Sequence, residues 1–153
     1  MTQGLTPTLV LVEAQTDHRR SLNVASNLFK NDGGSLARGA NRDAQTEWSA
    51  RNSKIDAAIP FGETIAVVHS YVSSWTPGAP GATRNAVFLS VVSLAGEPLV
   101  CDIALPGYPA GFDADSLYIL DFGELAQGRE AGSVDLVRVR PATLLDGSPG
   151  TRR

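Results

Sequence analysis

The chain has a single cysteine, two histidines, no long apolar run and few aromatic residues, and each shortage removes a class of function. With only Cys101 among 153 residues, no internal disulfide can form, which excludes a disulfide-stapled secreted domain. A reducing compartment is the default expectation. The opening Met-Thr-Gln-Gly-Leu-Thr-Pro has neither the basic start nor the apolar run of a secretory signal, so a cytoplasmic protein is expected, alone or within a larger assembly. Its apolar stretches run to about half a dozen residues, against the roughly 20 needed to span a bilayer, so no membrane segment is expected.

His18 and His69 stand far apart and no second cysteine exists, which disfavours a zinc site. Asp113 and Asp115 flank Ala114 and could offer two carboxylates to calcium. They lack the alternating acidic and glycine residues of an EF-hand loop, so a solvated loop is the better reading. Gly78 and Gly81 are not followed by Gly-Lys-Ser/Thr, and their loop joins two strands, so no helix N-terminus is there to receive a phosphate. No cofactor is expected. The net charge of −3 and scattered basic residues predict no nucleic-acid partner.

What is present is apolar mass and turn chemistry. Hydrophobic residues make up 42% of the chain, enough for one core, and the reading is a single β domain over residues 1–145 with a flexible tail at 146–153. Charge is uneven: residues 61–132 hold two basic against eight acidic side chains, while both ends are neutral or slightly basic. The acidic middle is either an ordinary solvated surface or a face that meets a neighbour's basic arm.

Residues 9–12 (Leu-Val-Leu-Val) read as a strand buried on both faces. Leu22, Ala25, Leu28 and Phe29 fall at helical spacing behind Asp17 or Ser21 as N-cap, with a strand over residues 22–25 as the alternative. Residues 31–54 are the least core-like, with Trp48 their only large apolar group. They predict a long loop or extended arm, with a short helix near 43–50. Beyond Ile55 the pattern is β. Pro60 and Gly62 make a turn, and residues 65–75 form a strand with Ile65, Val67, His69, Tyr71, Ser73 and Trp75 on one face. Residues 86–94 read as a central strand apolar on both faces, turning at 95–98 into a hairpin partner over 99–105. In that partner Leu99, Cys101, Ile103 and Leu105 share one face and Asp102 takes the other. Strands follow at 117–122 and 134–139, after a Pro/Gly loop at 106–115.

The fold class is therefore mostly β, an antiparallel sandwich with a barrel as the alternative and at most one or two short helices. Cys101 is expected to be a small buried hydrophobe. His69 is the one plausible base, with Asp121 able to hold its imidazole if their strands are neighbours, but no Gly-x-Ser-x-Gly elbow accompanies it. His69, Tyr71, Trp75 and Asp121, with Tyr118 and Phe122, could line a ligand pocket. The competing reading makes the aromatics core residues whose polar tips reach the rim. The leading functional reading is a non-enzymatic protein acting in self-assembly or protein–protein interaction as a homo-oligomer, with Trp48, Arg51, Tyr108 and Phe112 as interface candidates. The alternative is a small-molecule-binding barrel or small enzyme around His69.

Overall fold

The computed structural model describes residues 7–12, 15–78, 83–121 and 135–145. Over these residues the chain forms β1 (Thr8–Val12), β2 (Arg19–Asn23), α1 (Arg42–Arg51), β3 (Lys54–Phe61), β4 (Thr64–Ser74), β5 (Arg84–Ser93), β6 (Pro98–Leu105), β7 (Pro109–Phe112), β8 (Leu117–Asp121), β9 (Asp135–Val139) and α2 (Pro141–Leu145). The strands make three antiparallel sheets, ordered β1-β2, β3-β4-β5-β6 and β7-β8-β9. The architecture is mostly β and sandwich-like, and the described strands do not close into a barrel.

The middle strands β4 and β5 are apolar on both faces, and both faces are covered, as such strands require. On one face Ala66, Val68, Val87, Leu89 and Val91 pack with Ile59 of β3 and with Leu117 and Ile119 of β8. On the other, Ile65, Val67 and Val92 pack with Leu22 and Val24, flanked by Leu9 and Leu11 of β1. Each fully buried side chain of this kind contributes roughly 1.5–3 kcal/mol. The β3–β4 turn is as short as a hairpin allows. Phe61 pairs with Thr64, leaving Gly62 and Glu63 to turn, and Gly62 takes the positive φ (57°) that the tight primed turns demand.

Several local expectations give way to tertiary packing. The helical spacing at 22–29 does not make a helix: residues 19–23 are strand β2, because Leu22 and Val24 alternate into the second cluster. Asp17, with φ of 53°, sits between β1 and β2 and caps no helix. Strand β1 is buried on one face only, since its hairpin is an outer layer and Val10 and Val12 point away. Within 31–54 the expected helix is α1, started by the Asn41 side chain, which accepts from Ala44 N–H at 2.8 Å. The 106–115 loop contains β7, paired with β8. The tail 146–153, the loop tip 79–82 and Phe122 lie outside the described residues.

The largest departure is in β6. Val91 pairs with Val100 and Leu89 with Ile103, so Cys101 and Asp102 together face the single residue Ser90. This β-bulge shifts the alternation by one residue. Val100, Ile103 and Leu105 pack on the core, while Leu99 and Cys101 are turned out. Cys101 is thus exposed, contrary to the buried role that unbroken alternation gives it. Native protein should therefore react with a thiol reagent at close to the rate of the unfolded chain. Protection by orders of magnitude would place Cys101 inside and refute the bulge register.

Candidate functional site

The bulge that exposes Cys101 also re-aims Asp102. Its backbone takes φ of 54°, a left-handed conformation that Asp tolerates better than most residues. Its N–H donates to Ser90 Oγ at 3.1 Å. The carboxylate gathers three donors from outside its own strand. Ser26 O–H reaches Oδ1 at 2.6 Å, Asn27 N–H reaches Oδ2 at 2.8 Å, and His69 Nε2 lies 3.1 Å from Oδ1. Strand β5 separates β4 from β6, so the His69–Asp102 contact spans the middle strand, where Ser90 supplies only a short side chain.

The imidazole of His69 is completely buried. Phe29 tilts against it on one side and Phe88 stacks on the other, both with ring centroids 5.5 Å away, and Phe88 continues the row onto Tyr71. Asp102 Oδ1 is an acceptor, so Nε2 carries the proton. Nδ1 then keeps its lone pair, and it has no hydrogen-bond partner. Protonating Nδ1 would bury an unpaired N–H. Burial accordingly pushes the His69 pKa below its ordinary 6.5, against the upward pull of Asp102 and Asp56. Burial pushes the Asp102 carboxyl up, but the hydrogen bonds from Ser26, Asn27 and His69 outweigh it and hold the group below its ordinary 3.8.

Ser, His and Asp side chains are in mutual contact here, yet the arrangement is not a proton relay. In a nucleophilic triad the serine and the carboxylate address opposite ring nitrogens. Here both meet Nε2, with Ser26 Oγ at 3.4 Å and Asp102 at 3.1 Å. The Ser26 proton goes to Asp102, and Ser26 Oγ also accepts from the N–H groups of Leu28 (3.2 Å) and Phe29 (2.9 Å). An oxygen so engaged is not an activated nucleophile. The cluster is a clasp that ties residues 26–29 to the central sheet.

The other candidates are dispersed. Tyr71 is half-buried, with the Lys30 ammonium 3.7 Å above its ring. Trp75 follows β4 and borders a cavity of about 30 Å³ with Arg42, Thr46 and Thr76, room for one water. Asp121 belongs to β8 in the third sheet, paired in register with Asp135, and it is Asp102 that reaches His69. Trp48 donates to Gly34 O at 2.7 Å, and Arg51 pairs with Glu47 and Asp32. Tyr108 is half-buried with Lys54 near its ring, while Phe112 is 61% exposed at the end of β7. Asp113 accepts from Tyr118 O–H and from two backbone N–H groups, and Asp115 from Ser116 and Arg138, so their oxygens are engaged in the fold. The hydrogen bond from Tyr118, with those from the 115–116 backbone, holds the Asp113 carboxyl at about 2.

Ser26 and Asp102 escaped the reading of the sequence as site residues. The available signal was an acidic residue inside the apolar run Leu99–Leu105, one strand beyond the neighbour of His69's own strand. Comparison with family models, with curated proteins and with solved structures returns no match.

Two measurements check the clasp. Asp102→Asn keeps a residue suited to the left-handed backbone but replaces an acceptor oxygen, and should destabilise by roughly 1.5–3 kcal/mol in urea titration. Wild-type stability should also fall as pH drops below 6.5, because the unfolded state then binds the proton that buried His69 resists, at most about 1.4 kcal/mol per pH unit. A second loss, from Asp102, begins only below 3.8. His69→Gln should flatten the first step, and an unchanged slope would show that His69 does not cause it.

Proposed function

We propose that this chain is a non-enzymatic protein-interaction domain that pairs with a second copy of itself. The observation that carries the reading is the condition of strand β1. Exposed edges in natural sheets are blunted by charge, proline or cover. Strand β1 reads Thr-Leu-Val-Leu-Val without a charged residue, Val10 and Val12 are 57% and 52% exposed, and its ladder partner among the described residues is β2 alone. An extended, uncharged segment could lie along β1 and cover both valines, with Arg19 of β2 beside Val12 at the rim of the contact. The same strand of a second copy, running antiparallel, meets that description and gives a closed two-fold pair.

The interface thus shifts from the 31–54 arm to β1. Trp48 and Arg51 are engaged within their own chain, and residues 30–32 and 52–53 are bonded together through Lys30, Ser53, Asp32 and Asn52. We favour pairing through β1 over a ligand pocket around His69, Tyr71, Trp75 and Asp121, because the His69 ring is enclosed by Phe29 and Phe88 and Asp121 lies in another sheet. A reducing, cytoplasmic setting suits the exposed thiol of Cys101, which would be open to oxidation elsewhere. No described helix is long and apolar enough to cross a membrane.

Native mass spectrometry across micromolar concentrations tests this reading. The expectation is a dimer that becomes monomeric in the Val10→Lys, Val12→Lys double variant with its circular dichroism unchanged. A wild-type chain that stays monomeric throughout, or a dimer indifferent to both lysines, would sink it.

A further inference from the structure

We propose that residues 25–32 are a strap, held shut over the central sheet by the Asp102 carboxylate and able to open while the sandwich stays folded. Both ends of the segment are anchored. On one side Leu22 and Val24 are buried in the second apolar cluster, and on the other buried Asn52 receives Asp32 N–H at 3.0 Å while Ser53 exchanges hydrogen bonds with Lys30. Between these anchors the strap belongs to no ladder. The N–H groups of Leu28 and Phe29 are satisfied by Ser26 of the strap itself. Among the described residues, its hydrogen bonds to the four-stranded sheet converge on one place, where Ser26 and Asn27 meet Asp102 beside His69.

Closure covers a row of rings. Phe29 lies against His69, and Lys30 sits over Tyr71, with Phe88 stacked between His69 and Tyr71. Asn27 and Leu28 remain exposed on the outside of the strap. Gly33, with φ of 72° and open space around its α-carbon, offers a hinge at the far end. An open strap bares the imidazole, Phe88 and Tyr71 as one aromatic face. The proposal stands apart from pairing through β1, and either can fail without the other.

Hydrogen exchange read by mass spectrometry on the full chain tests it. In wild type, peptides covering 25–32 should exchange through openings insensitive to low denaturant, while β4 and β5 exchange only with global unfolding. Asp102→Asn should speed 25–32 by on the order of tenfold or more and leave the protection of β4 relative to β5 unaltered. Ser26→Ala, a milder change, should act in the same direction, and it decides the matter with the wild-type comparison if Asp102→Asn does not fold. Equal rates for the strap and the central strands in wild type, or a strap unmoved by both variants, would overturn the proposal.

Discussion

An ionised carboxylate taken out of water survives only if donors replace the water it has lost. Asp102 meets that condition with donors from two separate parts of the chain, and much of one side of the molecule is arranged around it. The bulge in β6 turns the side chain inward, Ser90 is short enough to sit beneath it, and His69 must present Nε2–H. Ser26 and Asn27 complete the set, bringing the chain after β2 down onto the sheet. With one donor lost, a half-buried charge is left under-solvated.

The same requirement explains how the second face of the central sheet is covered. At one end, Ile65, Val67 and Val92 meet apolar partners from the β1–β2 hairpin, and dispersion with burial is enough. Further along β4 the face turns from aliphatic to aromatic and polar, through His69 to Tyr71. Its cover changes correspondingly, from a strand pair to an irregular segment that uses ring contacts, a cation over Tyr71 and the Asp102 clasp. The opposite face needs no such device, since its apolar residues continue into those of β8.

The parts legible in the sequence were those whose signals are local. Gly62 announced its hairpin, the apolar run at 86–94 announced a strand covered twice, and the alternation along 65–72 placed His69 and Tyr71 on one face. The bulge had no such signal. An added residue inverts the side chains on one side of it relative to those on the other, and nothing in the run Val100-Cys101-Asp102-Ile103 marks where the ladder slips. The shift at Ser90 exposed Cys101, which alternation with Ile103 and Leu105 buried. Asp121 was the natural candidate to hold His69 only while strand order was open, and strand order is set by long-range packing. Ser26 was hidden for another reason: helical spacing around Leu22 and Phe29 disguised a strand followed by a strap.

A polar cluster that resembles a catalytic triad in composition is, by its geometry, a fastening, and the distinction rests on which ring nitrogen carries the proton. Long-range proton–nitrogen NMR on ¹⁵N-histidine protein at neutral pH reads this directly. The account predicts a neutral His69 ring protonated at Nε2, with Nδ1 in the lone-pair range and the pattern lost in Asp102→Asn. A ring protonated at Nδ1, with Nε2 free to accept the Ser26 proton, would contradict it and return the cluster to the candidates for catalysis.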